Sequence, residues 1–310
     1  DSNNKYTKNT RVIDVINDEA FGNYGRLIFP VDMRISNDLT LENISSILPW
    51  YSEINTDKTV EIVNYLRNEA ESGRQIFYDI YSDSEKADDP EKQNTGIFFF
   101  KGNDNAKSAV VNAGGGFVYV AGIHDSFPHA LELSKKGYNA FALIYRPGAQ
   151  TACEDLARAI AFLCAKSGAK EIYMLNRTKE KAYDIAKAVN DYFGKECIKP
   201  MLISEYDKLE ADDYVVIQTT SVGLYPNVDD VVIDDEAFYK KVKVGVDIIY
   251  NPSETRFMKM CKNAGKPACN GLKMLLYQGV AAYELWNDVS VTKEQADKVY
   301  NKMKEELGIE

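Results

Sequence analysis

An α/β fold, with a mostly parallel sheet and helices on both faces, is predicted by three observations. Short apolar runs bounded by Gly, Asn and Asp recur from residue 97 onward. From residue 109 to the end they alternate with longer runs whose apolar positions fall at helical spacing. That alternation makes the strands parallel, because each return crosses over through a helix. Finally, 45% of the 310 residues are hydrophobic, which supplies a core for two domains or one large one.

The elements follow in order. The first hundred or so residues are polar, aromatic-rich and irregular, and DSNNKYTKNT is a flexible start. TDKTVEIVNYLRNEAESG (56–73) is the clearest early helix, with Val60, Ile62, Val63 and Leu66 as its stripe and Gly73 as its stop. SDSEKADDPEKQN (82–94) reads as a solvated loop. IFFF (97–100), AVVNAG (109–114) and NAFALIY (139–145) are buried strands, with helix SFPHALELSKKG (126–137) before the last. EDLARAIAFLCAKSG (154–168) is a helix presenting Leu156, Ile160 and Leu163. EIYMLNRT (171–178), IKPMLIS (198–204), DYVVIQTT (213–220) and VKVGVDIIY (242–250) are strands. KEKAYDIAKAVNDYFG (179–194), ETRFMKMCKNAG (254–265), LKMLLYQGVAAYELW (272–286) and TKEQADKVYNKMKEELG (292–308) are helices.

Composition narrows the function classes. A net charge of −10 argues against nucleic acid and anionic membrane surfaces as partners. No apolar run is long enough to span a bilayer. The five cysteines are odd in number and none has the CxxC spacing of a zinc or redox site, so reduced thiols in the cytoplasm, and no metal, are expected. The chain opens at Asp1 rather than Met, which reads as a trimmed start and leaves room for a removed leader.

Chemistry first becomes readable at LNRT, where a strand ends in Asn176, Arg177 and Thr178 and a helix begins. At that place in a dinucleotide fold an acidic residue holds a ribose 2′-hydroxyl, whereas an Arg suits a 2′-phosphate. VVIQTTSVGLYP (215–226), VGVDIIYNPSETRF (244–257) and NGLKMLLYQGVAAYELW (270–286) follow in order. Together these four motifs resemble the NADP-binding, Rossmann-like domain of the shikimate dehydrogenase family over residues 158–310. The resemblance implies NADP as cofactor and a small-molecule substrate. It gives Asn176, Arg177 and Thr178 the role of selecting NADP, and Thr220 and Ser221 that of lining the cofactor. It puts Gly271 and Met274 beside the nicotinamide, and lends Tyr250 and Gln278 to the substrate.

Two departures bear on activity. The family's Gly-rich pyrophosphate loop corresponds here to RPGAQTACEDLARAI (146–160), which has one glycine, Gly148, and sets Glu154 and Asp155 at the helix start. Carboxylates there compete with a phosphate for the positive end of the helix dipole. The family's proton-transferring Lys–Asp pair comes from an N-terminal domain with no counterpart in residues 1–157, so no catalytic base is named.

The first half carries its own pattern. FFFKGNDNAKSAVVNAGGGFVYV (98–120) sets Gly114, Gly115 and Gly116 after a strand. With the flanks to about residue 163, it resembles the oxyanion-loop region of the α/β-hydrolases. That fold needs a GxSxG elbow and a histidine after it. The chain has no GxSxG, and its only histidines are His124 and His129, read as surface or helix-start residues. Ser126 beside them is the one unconventional nucleophile.

Domains are therefore expected at 1–157 and 158–310, joined inside the helix at 154–168, whose apolar stripe stays in phase across the join. The apolar helix at 272–286 is expected to be covered by the first half or to self-associate. Three functions stay open. One is an NADP(H)-binding protein with incomplete oxidoreductase machinery for a shikimate-type hydroxy acid. The second is a carboxylic ester hydrolase, and the third a non-enzymatic chimera of two parents.

Overall fold

The computed structural model describes residues 4–48, 54–113, 119–287 and 289–308. The chain divides into two compact units, Asp1–Ala152 with Ala281–Val289, and Cys153–Val280 with Ser290–Glu310.

The first unit begins with α1 (Val12–Ile16), three short 3₁₀ turns and α2 (Thr56–Glu71). Irregular as it is, this lead is not loosely held. Phe21, Ile28, Phe29, Leu41, Ile44 and Leu48 are fully buried, and Ile62, Val63 and Leu66 of α2 pack with no exposure. Asn64 of α2 pins the chain start, accepting from the Tyr6 N–H at 3.0 Å and donating to its carbonyl at 2.9 Å. Then come β1 (Phe77–Tyr78), α3 (Asp83–Asp88), β2 (Gly96–Phe100), β3 (Ser108–Asn112), α4 (Ser126–Lys135) and β4 (Asn139–Ile144). Helix α3 replaces the expected loop at 82–94. A reciprocal cap between Ser82 and Glu85 satisfies its first N–H groups, which is enough to wind a polar segment with no buried face.

The sheet of the first unit runs β1-β2-β4-β3. Only β3 and β4 pair in parallel; β1/β2 and β2/β4 are antiparallel. This sheet is mixed rather than mostly parallel because β2 and β4 are adjacent but run in opposite senses. Every residue of β2 is buried, and Phe99 lies directly across from Phe141 with their rings stacked at 4.7 Å. Such cross-strand aromatic pairs fix the register.

The second unit is parallel wherever its described strands pair. It contains most of α5 (Ala149–Lys166), then β5 (Ile172–Asn176), α6 (Lys179–Phe193), β6 (Ile198–Leu202), β7 (Tyr214–Gln218), α7 (Glu236–Lys240) and β8 (Val242–Asp247). Next are α8 (Arg256–Asn263), β9 (Ala268–Cys269), the first part of α9 (Leu272–Asn287), whose residues from Ala281 on belong to the first unit, and α10 (Lys293–Glu306). Its strands form two sheets, β5-β6 and β7-β8-β9. One apolar cluster serves both. Phe238, Tyr239, Val242, Phe257 and Cys261 are its buried centre, and Tyr173 and Leu175 of β5 pack on it with Tyr214 and Val216 of β7.

Helix α6 covers β5 and β6 with Ala182, Ile185, Ala186 and Val189. It stops at Gly194, which takes the left-handed conformation. Asn190 ties it to β6, accepting from the Cys197 and Ile198 N–H groups and donating to the Ile198 carbonyl. No described helix is long and apolar enough to cross a membrane.

Candidate functional site

In parallel sheets, ligand groups gather beyond the carboxyl ends of the strands. At the end of β5, Asn176 Oδ1 accepts the Thr178 N–H at 3.0 Å, which folds Asn-Arg-Thr into a tight turn before α6. Thr178 is the N-cap of α6, but its side chain makes no capping bond. The first N–H groups of α6 therefore keep their partial positive charge uncapped by that side chain. Arg177 is exposed and forms no ion pair or hydrogen bond with a described residue. A planar cation stands beside an open helix start, an arrangement suited to a phosphate.

A second group forms at the ends of β7 and β8. Gln218 closes β7, donating from Nε2 to Asp247 Oδ1 at 3.3 Å and to the Val222 carbonyl at 3.2 Å. Its Oε1 accepts the Thr220 N–H. Thr220 Oγ1 in turn accepts the Val222 N–H at 3.1 Å, so the hydroxyl proton stays available to a ligand, and Ser221 is exposed beside it. Asp247 closes β8 with no exposure. It accepts from the Ile249 N–H at 3.0 Å and from Thr255 Oγ1 at 2.7 Å. Burial pushes its carboxyl above the ordinary range, against the opposing pull of the Ile249, Thr255 and Gln218 bonds.

Past Asp247 the backbone leads to Tyr250, whose side chain is 45% exposed. Gly271 donates its N–H to the Ile249 carbonyl at 3.0 Å. A Cβ at 271 would lie 2.2 Å from the Ile248 carbonyl oxygen, so only glycine permits this approach. Asp247 is thus linked through Gln218 to Thr220, beside Ser221, and through Ile249 to Gly271, with Tyr250 next in the chain. No hydrogen bond among the described residues links them to Asn176, Arg177 or Thr178. The side chains of Met274 and Gln278, on α9, lie outside the described residues, as do Gly114, Gly115 and Gly116.

The segment expected as a pyrophosphate loop is mostly helix. α5 begins at Ala149, directly after Gly148 at φ 98°, and Thr151 Oγ1 closes its first turn on the Gly148 carbonyl at 3.0 Å. Glu154 and Asp155 therefore sit in the second turn, not at the helix start, and Asp155 is fully buried. Asp155, Arg158, Ala159, Phe162 and Leu163 are among the buried residues of α5; of the expected stripe Leu163 is buried, and Leu156 and Ile160 are half-buried. The strand that precedes the turn, β4, is bonded to β2 and β3.

In the first unit, the histidines are helix-start residues, one of the two placements expected: His124 lies half-buried in the turn before α4, and His129 lies buried in its first turn. Burial pushes His124 down to about 3 and His129 down to about 4, so both are neutral. Ser126 is fully buried, and neither its Oγ nor His129 Nδ1 has a hydrogen-bond partner among the described residues. His129 Nδ1 stands 3.8 Å from Asp125, outside hydrogen-bond range. Among the described residues, no group of three His, Cys, Asp or Glu side chains could hold a metal ion.

Sequence reasoning missed Asp247, Gln218 and Thr255. A signal was present: Gln218 and Asp247 are the polar ends of the otherwise apolar runs VVIQ and VGVD, where a buried polar group demands partners.

No model of a known protein family matches the chain. The chain is 38% identical over 148 residues to the shikimate dehydrogenase (NADP(+)) of Clostridium perfringens (strain 13 / Type A), covering 48% of this chain and 51% of that protein. It is 39% identical over 142 residues to the enzyme of the same name from Methanosarcina acetivorans, covering 46% and 50%. The chain thus spans about half the length of the curated relatives it matches. Among solved structures it is similar to a chorismate mutase/shikimate 5-dehydrogenase fusion protein from Clostridium acetobutylicum, at 26% identity and a TM-score of 0.37, covering 67% of this chain and 57% of that one.

Proposed function

We propose that the second unit binds NADP(H) in the manner of the cofactor domain of shikimate dehydrogenases, with at most vestigial turnover of a shikimate-type hydroxy acid. The observation that carries this reading is Arg177, exposed and without an ion pair among the described residues, beside the start of α6 that the Thr178 side chain leaves uncapped. Relatives named as NADP(+) enzymes lend it support.

The residues fit the cofactor at one end and not at the other. Asn176, Arg177 and Thr178 suit the adenosine 2′-phosphate. Thr220, Ser221 and Gly271 suit the far end, with a free hydroxyl proton and a backbone that only glycine allows to close in. The pyrophosphate lacks its cradle, because α5 starts directly after a single glycine. When bound, the cofactor supplies or accepts a hydride. No residue here is assigned to move the hydroxyl proton that such a reaction must also move.

The test is an NADPH titration followed by fluorescence, with Arg177→Ala alongside. Losing one charge-assisted phosphate contact should weaken NADPH binding by roughly tenfold or more and leave NADH nearly unchanged. Equal NADPH affinity in the two proteins would sink the reading.

A second reading concerns the chain's origin: a fusion of an α/β-hydrolase-like first unit with this cofactor unit, lacking essential parts of both. Supporting it, the relatives match about 148 residues, close to one unit, and the compact units divide at residues 152 and 153. As Ser126 is fully buried, a fluorophosphonate should leave the protein unlabelled; adduct formation at Ser126 would restore the ester hydrolase alternative.

A further inference from the structure

We propose that Asp247 is the positioning residue of the cofactor site: it holds the Thr220–Ser221 loop and the Tyr250 loop in register through Gln218, Thr255 and its own neighbour Ile249. The proposal deepens the NADP(H) reading and rests on it.

The argument starts from an oddity of burial. Asp247 is fully buried at the end of an apolar strand, and no cation among the described residues pairs with it. A buried carboxyl is costly unless its oxygens are satisfied, and here three donors converge on it. Each donor belongs to a different piece of backbone: Gln218 at the end of β7, Ile249 in the loop after β8, and Thr255 at the N-cap of α8.

The bond to Gln218 transmits orientation. A carboxamide has a donor end and an acceptor end, and its neighbours decide which way it faces. An acceptor at 247 draws Nε2 toward itself and the Val222 carbonyl. Oε1 must then face the Thr220 N–H. With that N–H occupied and Thr220 Oγ1 accepting from Val222, the threonine hydroxyl has one proton left to offer outward. On the other side, the Ile249 N–H is fixed by Asp247, and the Ile249 carbonyl receives Gly271. One side chain thereby sets both the Thr220–Ser221 loop and the loop that carries Tyr250.

The role predicts which substitution is tolerated. Asn at 247 keeps an acceptor for Gln218 and Ile249, and its amide can donate to Thr255, whose hydroxyl can rotate to accept. Ala removes every link. In amide hydrogen exchange on the full chain, Asp247→Ala should speed exchange at Thr220, Val222 and Ile249 selectively, and Asp247→Asn should restore protection. NADPH affinity should follow: about tenfold weaker in Asp247→Ala and within about threefold of the parent in Asp247→Asn. If the parent protein fails to bind NADPH, the cofactor reading falls, and the exchange pattern alone decides the positioning role. Where Asp247→Ala does not fold, Gln218→Met cuts only the first link, so exchange should rise at Thr220 and Val222 but not at Ile249. Unchanged exchange at all three amides in Asp247→Ala, or a loss that Asp247→Asn does not recover, would overturn the proposal.

Discussion

Individual polar side chains in this chain are buried in two different ways. Asp247 keeps its partners, whereas Ser126 Oγ and His129 Nδ1 have none among the described residues. The histidines carry a pH consequence. Burial is the cause of the depression in both, from an ordinary 6.5 to about 3 for His124 and about 4 for His129. A group whose folded pKa is lowered leaves the unfolded chain binding more protons. Its contribution to stability is therefore complete above about pH 6.5 and is lost as pH falls toward 4 and then 3. Between pH 7 and pH 5 each histidine should remove on the order of 2 kcal/mol. Urea denaturation at the two pH values should show the midpoint falling, and His129→Gln should flatten that fall. A midpoint that holds steady to pH 5 would mean the histidines become protonated in the folded chain.

Elements with a clear period were legible, and those set by caps or by long-range pairing were not. Helix α2, helix α6 and strands β5 to β8 lie within a few residues of expectation, because each has an apolar face that must be buried. Helix α3 escaped notice because it has no such face and exists by its Ser82–Glu85 cap. The start of α5 at Ala149 was hidden as well, since RPGAQTACED reads as loop until Thr151 closes the turn on Gly148. The antiparallel partner of β4 was not readable, because pairing between strands distant in sequence leaves no local mark. The site shows the same division. Asn176, Arg177 and Thr178 stand in one contiguous turn and were found as a motif. The Gln218–Asp247–Thr255 network joins three elements and could be found only after they were assembled.

Across the whole molecule, each unit has its own buried core, and the chemistry assigned to each differs. Phe98, Phe100 and Phe127 centre the first, with the two histidines in the same unit; Phe238, Tyr239 and Phe257 centre the second, with the Arg177 and Asp247 sites. Two separate cores, one of them with a proposed ligand, should respond separately to solution conditions. A ligand that binds only folded protein stabilises it by RT ln(1 + [L]/Kd), about 2.7 kcal/mol at a hundredfold excess over Kd. In scanning calorimetry, NADPH should therefore raise one transition, that of the second unit. Acidification from pH 7 to pH 5 should lower the other, because His124 and His129 belong to the first unit. Arg177→Ala should abolish the first response without touching the second, and His129→Gln should do the reverse. A single transition moved by both NADPH and acid would mean that the units unfold together, as one cooperative body despite two cores.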